Sequence, residues 1–222
     1  MNFLGHTAVA LGCGIDSDEA VLGAVLPDLV GMIGVTIDKQ ALSGEVLRGI
    51  ACHHATDTAF HGHPAFTAGA ARIREDAAAA GLGRGPQRAV GHAGFELLLD
   101  GAVGEVAGTV DALCRALAAG GVVTPSLPPG QRERWAGFTV ALVEGRIWIG
   151  YRDPTEVAAR LVRMLRDRPR LAVANGAVDA VAAILRAAQP GIERVAGTVV
   201  ADVTVAVAAG IAQTVDIQML EG

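Results

Sequence analysis

Apolar residues run along this chain in long stretches separated by short polar and Gly/Pro-rich joints, and their spacing predicts helices throughout. Met1 to about Gly14 reads as a short apolar helix. Ser17, followed by Asp18 and Glu19, starts a second, because a hydroxyl cap and an acidic first turn suit the free amides there. Pro27 predicts a kink or restart in that helix, with Asp28 aimed inward at the break. A third helix spans Leu42 to about Gly62, and Pro64 opens the next. Gly81 to Pro86 is a loop, after which Gln87 to Ala119 is helical with a break near Gly101. A second loop runs from Thr124 to Gly130, and Trp135, Phe138 and Trp148 beyond it look like helix packing onto the same core. Asp153-Pro154-Thr155-Glu156 resembles a capping box leading into an arginine-rich helix that Pro169 ends. Residues 171–218 continue as Ala/Val-rich helix, although Thr198 to Val207 is β-branched enough to suit a strand. Strands do not alternate with helices and no repeat is present, so the expectation is a single compact all-α domain.

Composition narrows the class. Hydrophobic residues make up 51% and charged residues 18%, which excludes a disordered chain. Aromatics are only 4%, so the core is built from Ala, Val and Leu with small residues at helix contacts. A net charge of −5 argues against a nucleic-acid binder. Cys13, Cys52 and Cys114 form no CxxC pair and fit a reducing compartment, and the N-terminus lacks a basic region, so a cytoplasmic protein without a signal peptide is expected. Val195 to Val215, interrupted by Asp202, is weak as a membrane span and reads as a buried helix whose Ala/Gly-rich surface could pair in a homodimer. Arg160, Arg163, Arg166, Arg168 and Arg170 cluster with one acid, Asp167. Such a row is either a solvated face or a dock for an acidic partner.

The chemistry is concentrated. All six histidines lie in the first 92 residues, four of them between Cys52 and His63. On a helix His53, Asp57 and His61 stand at i, i+4 and i+8 on one face, and His92, Glu96 and Asp100 repeat that spacing. Two helices that each present imidazole and carboxylate one turn apart can build a mono- or dinuclear metal site. Mixed N/O ligation suits Mn²⁺, Fe or Zn²⁺, and such an ion activates water and polarises a phosphoryl oxygen. His54 projects about 100° from His53 and suits a phosphate-contacting role rather than ligation of the same ion. A lone His6 on an apolar helix is ordinarily a hydrogen-bonded core residue, His63 beside Pro64 reads as a loop residue, and Asp100 before Gly101 reads as a helix end. No GxxxxGK[ST], GxSxG or HExxH is present. Cys52 beside His53 makes a poor thiol–imidazole pair, since neighbours on a helix point different ways.

Met1-Asn-Phe-Leu-Gly-His6, Leu22-Gly-Ala-Val-Leu-Pro-Asp28 and Gly49-Ile50 before His53 and Asp57 resemble the acyl carrier protein phosphodiesterase family. Tyr151-Arg152-Asp153 and Arg168-Pro169-Arg170-Leu171 extend the resemblance in collinear order over most of the chain. It implies an all-α helix bundle distantly like the HD-domain phosphohydrolases. It further implies Mn²⁺-dependent hydrolysis of the phosphodiester joining 4′-phosphopantetheine to a carrier-protein serine. His6, Asp28, His53 and Asp57 match the family pattern directly. The chain departs from it where the family has two arginines after the histidine and this sequence has His54-Ala55. It departs again where an aspartate is replaced by His61, and where an Asp-x-x-x-Asp element corresponds to His92 and Glu96.

The reading is therefore a metal-dependent phosphodiester hydrolase. His6, Asp28, His53, Asp57, His92 and Glu96 supply the metal ligands, and His54 or His61 assists the leaving group. Arg160, Arg163, Arg166 and Arg170 would face an acidic carrier protein. Two alternatives stand beside it: a non-catalytic ligand- or protein-binding descendant, motivated by the lost arginine pair, and an oxidative metal enzyme, motivated by the imidazole-rich set.

Overall fold

Ser17 Oγ accepts the amide of Ala20, and the helix it caps, α2 (Asp18–Ile33), continues until Gly34 closes it in a left-handed turn. Pro27 lies inside this helix, which runs through it without restarting. The computed structural model describes residues 1–104, 106 and 108–220, the side chains of 175 and 212–220 excepted. Nine α-helices and no strand occur among the described residues, so the fold is all-α. They divide into two compact units, one made of Met1–Phe60, Val106–Ile147 and Val200–Gly222, the other of His61–Glu105 and Trp148–Val199.

The first unit contains α1 (Phe3–Gly12), α2, most of α3 (Gly44–Gly62), α6 (Thr109–Ala118) and α7 (Arg132–Gly145). Helices α1, α2 and α6 pack on one another, and α7 lies against α6. Its core holds Phe3, Leu4, Leu22, Leu26, Leu113 and Trp135, whose indole N–H donates to the Gly120 carbonyl at 2.8 Å. The contact that matters most for chemistry lies between α2 and α3. A Cβ on Gly23 would stand 2.2 Å from the Val46 carbonyl oxygen, and one on Gly49 would stand 2.0 Å from that of Ala20. Only two glycines allow the backbones to touch at this distance.

The second unit holds α4 (Pro64–Ala79), α5 (Arg84–Val103) and α8 (Pro154–Leu165), with α5 packed on both of the others. His63 caps α4, its Nδ1 accepting the Ala65 amide at 3.2 Å, so it has a defined structural part rather than being a plain loop residue. Asp153 caps α8 in the same way, with Pro154 at its first position. Helix α8 ends at Leu165, one turn earlier than the arginine spacing suggested. The stretch expected to break near Gly101 is α5 followed by α6, and α5 runs on to Val103.

The last helix, α9 (Val178–Leu220), gives its first part to the second unit and its last part to the first. Its β-branched run stays helical. The stretch Val178–Ile211 is long and apolar enough to cross a membrane by length and composition, and only 22% of its most apolar 18-residue window is buried. The expected buried C-terminal helix is thus buried along one narrow line. Val199, Val203 and Val207 are covered, whereas Val205 is 70% exposed.

Candidate metal centre

His53 is placed by the glycine contact. It follows Gly49 by one helical turn, so it sits on the face of α3 that meets α2, and its Nδ1 reaches the Ala24 carbonyl oxygen at 2.9 Å. A carbonyl only accepts, so Nδ1 carries the proton. Burial pushes the His53 pKa down, against the pull of the Ala24 carbonyl and Asp57, which keeps the ring neutral at pH 7. Its Nε2 therefore presents a lone pair. That lone pair faces Asp57 Oδ2 at 3.4 Å.

His6 stacks on this ring, centroids 4.1 Å apart and planes 20° from parallel. It is 1% exposed, and neither of its ring nitrogens makes a hydrogen bond. Nε2 stands 3.3 Å from Asp57 Oδ1 and 3.8 Å from Asp28 Oδ2, close enough for an ionic contact but not aligned as a hydrogen bond. Burial lowers the His6 pKa to about 4, with Asp57 opposing and His53 adding to the shift. Burial raises the Asp57 carboxyl, but the nearby His6 ring and the Met1 amino group outweigh it and hold the group ionised well below the usual range.

Donor atoms of His6, Asp28 and His53 all lie within 4.8 Å of one another, and Asp57 bridges the two imidazoles. The imidazoles are buried, while the Asp28 and Asp57 side chains are about a third exposed, at 35% and 32%, so the cluster opens to solvent on its carboxylate side. Two neutral rings face two carboxylates; the Met1 amino group donates to Asp57 Oδ1 at 3.2 Å, but the His6 ring nitrogens have no hydrogen-bond partner. A cation among them would give His6 its missing partner and relieve the repulsion between the His53 lone pair and Asp57. The Ala24 carbonyl behind His53 is the outer support that metal-ligating histidines commonly have. The residues fit a divalent ion.

His54 is exposed and meets His53 edge-on at 5.3 Å. With Leu26, Pro27, Val30, Lys39 and Ile50 it lines a cavity of about 180 Å³. Lys39, the chain's only lysine, shows no signal in the histidine spacing and was missed by it.

His92 and Glu96 do not complete the His6–Asp28–His53 group. They form a second group, in the second unit, with His61. One carboxylate oxygen, Glu96 Oε1, lies 3.2 Å from Nε2 of both His61 and His92. Burial pushes this carboxyl up, but hydrogen bonds from the two rings outweigh it and keep it ionised well below its ordinary range. Phe66 stands edge-on to the His92 ring at 5.2 Å. His61 is thus a partner of Glu96 rather than of His53, although both histidines belong to α3. Asp100 is fully buried inside α5 and belongs to neither group.

The arginines do not form one helical face. Arg160 turns back over the Tyr151 ring at 5.2 Å, Arg163 stays on α8, and Arg166, Arg168 and Arg170 lie beyond its end. Cys52 is buried and burial pushes its thiol up to about 11, so it is not a nucleophile at neutral pH. No protein-family model matches this chain, and neither a curated protein nor a solved structure matches it.

Proposed function

We propose that the chain is a metal-dependent phosphohydrolase whose metal centre is His6, Asp28, His53 and Asp57. The observation that carries this reading is His53, with its proton fixed on the Ala24 side and its free lone pair aimed at a carboxylate. Two imidazoles and two carboxylates suit Mn²⁺, Fe²⁺ or Zn²⁺ better than Ca²⁺. A divalent ion held by this set supplies Lewis acidity for water and for a phosphoryl oxygen.

The chain's own residues would do the rest. Stacked His6 and His53 wall the inner side against water. Asp28 and Asp57, at the solvent edge, leave room for a substrate oxygen to approach. His54, outside the ligand set and beside His53, would serve as the proton donor to the leaving group. Lys39, lining the same cavity, offers the positive charge that a His54-Ala55 sequence lacks where the resembled family carries two arginines. The HD-like arrangement and a phosphodiester on a carrier protein are the substrate side of this proposal, and they rest on the resemblance of the MNFL-x-H and GI-x-x-H-x-x-x-D stretches.

Elemental analysis of protein purified without chelator, and again after reconstitution with Mn²⁺, Fe²⁺ or Zn²⁺, tests the centre. Bis(p-nitrophenyl) phosphate hydrolysis by the loaded protein tests the reaction. Absence of bound divalent metal in both preparations would overturn the proposal.

A further inference from the structure

We propose that the second unit binds a soluble ligand carrying a phosphate or diphosphate group, in a cavity between the first half of α5 and the segment that follows α8. The cavity measures about 630 Å³ and is lined by Arg84, Arg88 and His92 on one side and by Arg168 and Arg170 on the other. All of it lies within one unit. This inference stands apart from the metal-centre reading, since none of these residues belongs to the His6–Asp28–His53 group.

The first reason is charge. The chain as a whole is acidic, at −5, yet four arginines line one hollow. Among the described residues none of the four makes an ion pair or a side-chain hydrogen bond. Like charges around a common cavity repel, and an anion in their midst converts repulsion into attraction. Guanidinium groups, with their planar donor forks, match phosphate oxygens in pairs.

The second reason is construction. A Cβ on Gly85 would fall 1.7 Å from the Arg170 carbonyl oxygen, so the segment after α8 is laid directly on the first turn of α5. That segment is folded into a tight turn, with the amides of Leu171 and Ala172 both donating to the Arg168 carbonyl at 2.8 Å. The glycine contact and the turn together set Arg168 and Arg170 opposite Arg84 and Arg88. These last two are one turn apart and share a face of α5. The helix itself begins at Arg84 after Gly83, which makes no side-chain cap, so its first amides add to the positive potential.

Inorganic pyrophosphate is the probe. Calorimetric titration of the full chain, in chelator and at fixed ionic strength with KCl, should show saturable one-to-one binding in the micromolar to millimolar range, with sulfate weaker. Arg88→Gln and Arg168→Gln should each weaken binding about tenfold, as expected for loss of one charge-assisted contact. Both arginines are exposed, so the variants should keep the parent's helical circular dichroism. Gly85→Ala should weaken binding as well, by forcing the two walls apart. His53→Ala should bind pyrophosphate as the parent does. No saturable binding, affinity unchanged in both arginine variants, or binding lost in His53→Ala would each overturn the proposal. The last outcome would place the anion at the first cluster instead. Metal content read in parallel keeps the two proposals separate: a chain that binds Mn²⁺ but no pyrophosphate fails only this one.

Discussion

The Nδ1 proton of His53 is held by the Ala24 carbonyl at 2.9 Å, across a helix contact that Gly23 and Gly49 make possible. Packing and chemistry meet in that one bond. The backbone approach delivers the carbonyl, the carbonyl fixes the tautomer, and the tautomer frees Nε2 for a cation. Gly49→Ala puts a methyl 2.0 Å from the Ala20 carbonyl oxygen. It should cost about 3 kcal/mol by urea denaturation, at the upper end for overpacking, and should lower metal affinity at the same time. Parent-like stability in that variant would mean the helices are not in such close contact.

Metal stabilisation should track the first cluster. At a free Mn²⁺ concentration about 100 times Kd, the ion should raise unfolding stability by about 2.7 kcal/mol. His53→Ala or Asp57→Ala should remove that increment, while His61→Ala should leave it in place. A thermal-shift series across the three variants reads this directly. Loss confined to His61→Ala would show that the His61 group holds the ion instead.

Acid should weaken the metal-free protein through His6. Its pKa is about 4 folded and 6.5 unfolded, so between these values the unfolded chain takes up a proton that the folded chain refuses. Its contribution is therefore complete above pH 6.5 and is lost as pH falls through that window. From pH 7.5 to 5.0 the loss is about 2 kcal/mol for this group alone. Asp57 and Glu96, both depressed, add their losses as pH falls into and below the ordinary carboxyl range, at more acid pH. Urea midpoints in chelator should fall over pH 7.5 to 5.0, and His6→Leu should flatten the profile there. A parent curve flat over this interval would contradict the buried neutral ring.

Cys52 should be inert. It is fully buried, and with its thiol near pKa 11 almost none is thiolate at pH 8. Iodoacetamide at pH 8 should leave Cys52 unmodified in the native protein and alkylate it in urea, as peptide mapping would show. Rapid native labelling would reopen a thiol mechanism.

Much of the helical frame was legible along the chain, because caps and breaks act locally. Ser17, Asp153 and Pro154 mark the starts of α2 and α8 through bonds spanning three residues or fewer. His53 and Asp57, four apart on α3, were readable as a pair for the same reason. Pro27 misled, since a long apolar helix with packed neighbours absorbs a proline that would end a weaker one, whereas the break expected near Gly101 falls just beyond it, between Val103 and Thr109. At the end of α8 the arginines continued in sequence, but the helix did not.

The division of the six histidines is another matter. Spacing puts His53 and His61 on one helix face and suggests a common site, yet their partners come from elsewhere in the chain. His53 finds Ala24 through the Gly23–Gly49 contact and His6 by stacking against α1, whereas His61 finds Glu96 and His92 on α5. Four arginines around one cavity were likewise visible only as a run and two isolated residues, until Gly85 brought the Arg170 backbone onto α5. Residue types and their periodicity announce which groups are able to bind a metal or an anion. Which of them converge depends on contacts between residues far apart in the chain, made where a missing Cβ lets two backbones touch.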